Sequence, residues 1–249
     1  MRRISIATGA LFVAATVTAL AAAAVVPSLT GTDYLPGVAI HSGRLAAAAL
    51  LYLIAAGTSA GIAIALYPPL KTIGAGLALG SVVFRTIEAV FYAVAVVNLL
   101  SILPLSQQFT AAPAGNRASI AAVADSLVST REHATLAGVF AFCIGALLYY
   151  ALFYRARLVP RWLSGWGIAA VLSMMAACLL ALFRDNSVTG YTLLILPIGV
   201  QEMVLAVWLL VKGLSESRLV VASAPEGSAP DATTAPATRA HLDRTASAD

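Results

Sequence analysis

The stretch ATLAGVFAFCIGALLYYALFY at residues 134–154 is a run of 21 residues without a single charge. A helix needs roughly 20 apolar residues to cross a bilayer core about 30 Å thick. The run is followed at once by RARLVPR at residues 155–161, which contains three arginines. An uninterrupted apolar run that ends at a basic loop predicts a transmembrane helix with its C-terminal end on the cytoplasmic side.

The composition of the whole chain also indicates a membrane protein. Of its 249 residues, 60% are apolar and 10% are charged, and the mean hydropathy is +0.91. A soluble domain averages about 45–50% apolar and about 25% charged residues, so this chain has too few charges for a water-facing surface. The composition therefore excludes a cytosolic globular enzyme, a disordered chain and a disulfide-stapled secreted domain. The net charge of +4 is too small for a nucleic-acid-binding surface, so no nucleic acid is expected as a partner.

Six segments are long and apolar enough to cross the membrane, and none alternates as a barrel strand does. Several of them stop at prolines, which cannot continue a helix: Pro27, the Pro68-Pro69 pair and Pro104. We therefore predict an all-α, polytopic bundle of six transmembrane helices. The predicted spans are about residues 4–26, 45–66, 72–103, 134–154, 166–183 and 191–211.

The first segment also resembles a secretory signal peptide, because Arg2-Arg3 precede an apolar run with an alanine-rich end at residues 21–24. Its apolar run of about 23 residues is longer than the 7–15 residues usual in signal peptides. We therefore expect an uncleaved first helix.

Basic residues between the segments orient the predicted bundle. With the first residues in the cytoplasm, eight Lys and Arg flank the inner helix ends and four flank the outer ends. This excess follows the positive-inside pattern and places both termini in the cytoplasm. The inner set is Arg2, Arg3, Lys71, Arg155, Arg157, Arg161, Lys212 and Arg218, and the outer set is Arg44, Arg117, Arg131 and Arg184.

The two longest segments outside the predicted spans are residues 104–132 and residues 214–249. Residues 104–132 form the longest predicted outer loop, in which residues 116–130 space apolar side chains as a short amphipathic helix would. Residues 1–213 make up the predicted transmembrane domain. Residues 214–249 are rich in Ala, Pro, Ser and Thr and poor in large apolar residues, which predicts a disordered cytoplasmic tail.

Three ionisable residues fall near the middle of predicted spans. Arg85 and Glu88 lie three residues apart, hence on one face of the third predicted helix. Glu202, next to Gln201, lies near the centre of the sixth. A charge at mid-bilayer costs about 2.5–3.5 kcal/mol on the insertion scale, so such residues are candidates for a functional site.

The three charged residues allow two interpretations. In the first, Arg85 forms an ion pair with Glu202, Glu88 or both, and so joins the third predicted helix to the sixth. In the second, they line a polar cavity that binds a substrate or relays protons. Two carboxyls face one arginine, so the surplus carboxyl requires a proton, another partner or water.

A second polar set is predicted in the outer half of the bundle. His41 and Arg44 enter the second predicted helix, Tyr92 lies one turn from Glu88 on the third, and His133 opens the fourth. If these helices are neighbours, the five side chains line one cleft open to the outside.

The sequence predicts neither a metal site nor a cofactor. It contains three histidines, and none occurs in HExxH or a similar ligand spacing. Motifs for a serine nucleophile, for Walker-type phosphate binding and for dinucleotide binding are absent.

Three stretches resemble a known bacterial integral-membrane family, catalogued as domain of unknown function 4386. The loop LVPRWLSGWG at residues 158–167 resembles the family's YLPRWLGW-type loop, with Leu158 in place of the usual aromatic residue and Ser164 inserted. FRTIE at residues 84–88 and EMVLAVWLLVKG at residues 202–213 are similar to other recurring stretches. The resemblance covers about residues 5–213 and implies a multi-helix protein of the bacterial cell (inner) membrane with no assigned activity.

Three functions fit these observations. The first is binding or transport of a small molecule at a polar site between the third and sixth predicted helices. The second is an intramembrane enzyme that acts on a lipid or isoprenoid, with Glu88 or Glu202 as general acid. The third is a structural or regulatory membrane protein with an unidentified protein partner. The expected surroundings are the lipid bilayer, with a small molecule or a lipid as the candidate ligand.

Overall fold

The computed structural model describes residues 2–31, 33–184 and 188–215, and this part of the chain is all-helical. Five helices are long and apolar enough to cross a membrane, which is consistent with the predicted helical membrane protein. A short sixth helix, α2, was not predicted. The elements are α1 Arg2–Val25, α2 Tyr34–Ile40, α3 Ser42–Ala111, α4 Ala114–Ala156, α5 Arg161–Arg184, a 3-10 turn Val188–Tyr191 and α6 Thr192–Val211.

Helix α3 contains both the second and the third predicted spans. It has 70 residues, and at 1.5 Å per residue it would be about 105 Å long if straight, over three times the thickness of a bilayer core. Its backbone leaves helical geometry at Gly74 (φ −165°, ψ 88°). A Cβ at Gly74 would lie 3.0 Å from Leu152 Cδ2, so the absence of a side chain lets this kink pack closely against α4.

Helix α1 ends before Pro27, as predicted, but the prolines of α3 do not end a helix. Helix α3 continues through Pro68, Pro69 and Pro104 and ends at Ala111. A proline removes one helical hydrogen bond and crowds the preceding turn. Neighbouring helices and local adjustments make this tolerable within membrane helices. The break therefore occurs at Gly74, five residues after the proline pair.

The predicted outer loop is also largely helical. Residues 116–130 are not a separate amphipathic helix but the first part of the 43-residue helix α4, which has no proline after its N-cap Pro113. Ala124, Leu127 and Val128 pack in one apolar cluster with residues of α2 and α3. The Tyr34 hydroxyl donates a hydrogen bond to Asp125 Oδ1 at 2.9 Å, and burial together with this carboxylate raises the pKa of Tyr34.

The long helices form a closed ring. Helix α1 packs against α3 and α6, α4 packs against α3 and α5, and α5 packs against α6. We call the end of this ring at which α2 lies the α2 end. At the opposite end, which we call the clasp end, Arg2 donates hydrogen bonds to the carbonyls of Leu210 and Val211, 2.9 and 3.1 Å away.

Four fully buried rings occupy the core of this bundle toward the clasp end. The rings of Tyr149 and Tyr150 are tilted by 48°, with centroids 4.5 Å apart, and the rings of Phe12 and Phe153 lie 6.4 and 5.7 Å from that of Tyr149. We call these four residues the aromatic cluster. The predicted tail at residues 214–249 lies mostly outside the described residues, but Leu214 is buried, and its backbone N–H donates to Ser5 Oγ.

Candidate functional site

A cavity of about 240 Å³ lies inside the ring, with walls from α1, α3, α4, α5 and α6. It contains the three ionisable residues that the sequence predicts near mid-membrane, Arg85, Glu88 and Glu202. Apolar, small and aromatic side chains surround them. The remaining lining residues are Ala15, Thr16, Ala19, Tyr52, Ala55, Ser59, Tyr92, Phe142, Met174, Ile195, Ile198 and Gly199.

Arg85 and Glu88 form an ion pair within α3. Arg85 Nη1 lies 3.2 Å from Glu88 Oε2, and the two residues are only 2% and 3% exposed. The other carboxylate oxygen, Glu88 Oε1, accepts a hydrogen bond of 2.9 Å from Ser59 Oγ, on the other side of the Gly74 kink. Arg85 Cζ also stacks 4.5 Å from the centroid of the Phe142 ring, a cation–π contact.

Several buried polar atoms in and beside this cavity have no hydrogen-bond partner. They are Ser81 Oγ, Arg85 Nε, Arg85 Nη1, Glu88 Oε2, Tyr149 Oη and Glu202 Oε1. The ion-paired atoms belong to this set, so the contact between Arg85 and Glu88 lacks hydrogen-bond geometry. A buried polar group without a partner costs about 1–3 kcal/mol, and native structures hold few of them. Their concentration here indicates hydrogen-bonding capacity that the protein itself does not use.

Glu202 is the surplus acid of the cavity. It reaches the cavity from α6, and its Oε1 atom is buried without a hydrogen-bond partner. The ion pair of Arg85 with Glu88 lies within a single helix and does not join α3 to α6. Of the first interpretation, the structure thus shows the ion pair with Glu88 but not a link to α6; it also places all three charged residues at one cavity.

Gln201 does not line the cavity although it neighbours Glu202. Successive residues of a helix point about 100° apart, and Gln201 faces α4 and α5 instead. Its Oε1 atom accepts a hydrogen bond from the Tyr150 hydroxyl, and its Nε2 atom donates to the Leu163 carbonyl at 3.1 Å. Gln201 thus connects three helices beside the aromatic cluster.

The outer polar set is only partly brought together. Tyr92 lines the cavity with Glu88, whereas His41 and Arg44 line a separate surface depression near α2. His41 Nδ1 lies 2.9 Å from the Gly37 carbonyl, and Arg44 Nε donates to the Val25 carbonyl. His133 is exposed on α4. Helix α2, absent from the prediction, places His41 and Arg44 at its junction with α3 and away from the cavity. Among the described residues, no three His, Cys, Asp or Glu side chains are grouped to hold a metal ion.

A family comparison covers the same part of the chain. A family model described as "Domain of unknown function (DUF4386)" matches residues 7–213. The chain belongs to the DUF4386 family. No curated protein and no solved structure matches the chain. The matched range contains every cavity-lining residue and confirms the resemblance predicted from the loop at residues 158–167.

Two glycines of α4 in this DUF4386 chain allow close contact with the part of α3 that carries Arg85 and Glu88. Neither glycine was predicted from the sequence. A Cβ at Gly145 of α4 would lie 3.0 Å from Arg85 Cγ. A Cβ at Gly138 would lie 3.5 Å from the Glu88 carbonyl oxygen and 3.3 Å from Phe91 Cβ. The signal was their spacing of seven residues, which puts both on one face of α4.

Proposed function

We propose that this protein binds a small organic molecule in the cavity between its helices, and that Arg85, Glu88 and Glu202 hold the molecule. The observation that carries the proposal is the set of buried, unpartnered polar atoms in and beside one cavity of about 240 Å³. The ion pair accounts for Arg85 Nη1 and Glu88 Oε2, but not for the four other atoms of the set. A ligand that supplied the missing partners would offset their desolvation cost.

The groups of the cavity indicate the chemistry of the ligand. Arg85 Nε can only donate a hydrogen bond, so it calls for an acceptor on the ligand. Glu88, ionised beside Arg85, can only accept, so it calls for a hydroxyl, amide or ammonium group; Glu202 accepts when ionised and also donates when protonated. Ligand pockets commonly measure about 300–1,000 Å³, and this smaller cavity supports a compact ligand with an apolar body.

The position of the cavity supports entry from the α2 end or from the lipid. The aromatic cluster and the Gln201 hydrogen bonds fill the bundle toward the clasp end. A molecule transported through the same site would have to pass the aromatic cluster. We therefore propose binding first. Transport would in addition require the four rings of the aromatic cluster to move apart.

We infer a six-span arrangement around this site. Helix α3 is too long for one crossing and has a kink at Gly74, which supports two crossings within it. The positive-inside pattern then places both termini in the cytoplasm, and the resemblance to a bacterial family supports an inner-membrane location.

One observation favours an intramembrane enzyme as the second candidate. Glu202 presents a buried carboxyl oxygen without a partner in a cavity with mostly apolar walls, the setting that a general acid for a lipid or isoprenoid substrate requires. An enzyme would convert the bound molecule, whereas a binding protein or transporter would release it unchanged. Mass spectrometry of the molecule after incubation separates the two.

The proposal is tested by a thermal-shift screen of small amines, amides and alcohols against the purified protein. Glu202→Gln keeps the shape of the side chain and removes its charge, and Glu132→Gln makes the same change on the exposed surface of α4. We expect compounds that stabilise the unmodified protein and Glu132→Gln but not Glu202→Gln. Equal stabilisation of both variants contradicts the proposal. Failure of Glu202→Gln alone to insert or fold indicates a structural role.

A further inference from the structure

A second candidate site lies on the outside of the bundle at the clasp end. A depression of about 520 Å³ is formed by the loop between α4 and α5 and by the end of α6. Three basic side chains line it, Arg157, Arg161 and Lys212, together with Trp208. We call it the basic depression. Among its lining residues, all of which the structure describes, there is no acidic side chain.

An apolar surface adjoins the basic depression. A trough of about 430 Å³ runs along α6, lined by Met203, Val204, Val207, Trp208, Val211 and Lys212. These positions repeat every four residues on one helix face, and the trough extends about 14 Å along the helix axis. Trp208 and Lys212 line both features, so the basic depression and this apolar trough adjoin at these two residues.

We propose that the basic depression and the apolar trough together bind one anionic phospholipid. The phosphate fits the three basic side chains, since arginine and lysine recognise phosphate through charge-assisted hydrogen bonds. An acyl chain lies along the apolar trough in the hydrocarbon region. Trp208, where the two features meet, lies at the level of the lipid glycerol, which suits an amphipathic ring.

Because the basic depression adjoins the apolar trough, the pair favours a lipid over a soluble anion. Free phosphate would use the basic depression and leave the apolar trough without a role. An uncharged lipid would use the apolar trough and leave three basic side chains without an anion. Only an amphipathic anion satisfies both surfaces. Basic residues near an anionic membrane surface strengthen such binding about fivefold each.

The test measures lipid retention by native mass spectrometry. The full chain is purified in detergent with equal amounts of phosphatidylglycerol and phosphatidylcholine that carry identical acyl chains. The test variant combines Arg157→Asn, Arg161→Gln and Lys212→Gln. Asparagine is chosen at position 157 because that residue has a positive φ of 53°, which asparagine tolerates. The matched control, Arg117→Gln, removes one exposed arginine of α4 far from the clasp end.

We expect the unmodified protein and Arg117→Gln to retain phosphatidylglycerol at least fivefold over phosphatidylcholine. The triple variant should retain the two lipids about equally, and Lys212→Gln alone should lower the preference by up to about fivefold. Val207→Gln, in the apolar trough, should reduce the retention of phosphatidylglycerol as well. Equal retention of both lipids, an unchanged preference in the basic variants, or displacement by glycerol 3-phosphate alone would overturn the proposal. If the triple variant does not fold, lipid retention by Lys212→Gln and Val207→Gln tests the proposal instead.

Discussion

At the scale of single residues, Ser59 is the side chain that stabilises the buried acid. Its hydroxyl donates to Glu88 Oε1, and both residues are at most 5% exposed. Glu88 faces Arg85 through its other oxygen, so its charge has one hydrogen-bond donor and one cation. We therefore expect the stability of the folded protein to depend on the hydrogen bond from Ser59, although Ser59 itself carries no charge.

We predict that Ser59→Ala lowers the free energy of unfolding by about 1.5–3 kcal/mol, the usual worth of a hydrogen bond to a charged group. Ser101→Ala is the matched control, because Ser101 Oγ bonds only to the Val97 carbonyl of its own helix. Reversible unfolding in mixed detergent micelles measures both variants. Equal destabilisation by the two substitutions would show that the bond to Glu88 contributes nothing specific.

Some of the cavity-lining residues could be predicted from the sequence and others could not, because hydropathy reports depth in the membrane but not the rotation of a helix. Hydropathy predicts the depth of a residue in the membrane, so Arg85, Glu88 and Glu202 stand out in the sequence, and all three line the cavity. It does not give the rotation of a helix about its axis, and Gln201 therefore faces α4 and α5 instead of the cavity. Ser81 and Tyr149 were missed because a serine or a tyrosine within an apolar run is common.

At the scale of helices, α4 is positioned by close contact with α3. Gly145 and Gly138 let the backbone of α4 approach the helix turns that carry Arg85 and Glu88. The sequence predicted the apolar runs, since they follow from the thickness of the bilayer. It placed the helix ends wrongly around Pro68, Pro69 and Pro104, because packing of the neighbouring helices decides whether a proline ends a helix.

We predict that Gly145→Ala destabilises the protein by about 1–3 kcal/mol, because the added methyl group overpacks against Arg85. Gly57→Ala is the control: nothing lies within 4 Å of a Cβ at that position of α3. Since alanine favours the helix by up to about 1 kcal/mol, Gly57→Ala should be neutral or stabilising. Thermal unfolding of the two variants makes the comparison, and a stabilising Gly145→Ala would contradict this packing.

At the scale of the whole molecule, the ring of helices has two chemically different ends. The clasp end carries Arg155, Arg157, Arg161 and Lys212, whereas α2 and its separate apolar cluster lie at the other end. The positive-inside pattern relates these ends to the two sides of the membrane.

We predict that the clasp end is cytoplasmic and that α3 crosses the membrane twice. Single cysteines at Ser28, Lys71, Ala112 and Arg157 test this, because the natural Cys143 and Cys178 are both buried. A membrane-impermeant maleimide should label positions 28 and 112 in intact spheroplasts, and positions 71 and 157 only after lysis. Labelling of positions 71 and 112 from the same side would refute the double crossing.

The hydrogen bonds from Arg2 to the end of α6 have a consequence for the order of assembly. Arg2 and Val211 are 209 residues apart, so at a synthesis rate of about 5–20 residues per second the contact becomes available about 10–40 s after Arg2 is made. Until then α1 lies in the bilayer without α6. Two of its three threonines need no partner from α6 in this interval, because Thr8 and Thr18 donate to carbonyls of α1 itself. The cavity, whose walls include α1 and Glu202 of α6, is therefore completed only after α6 has been made.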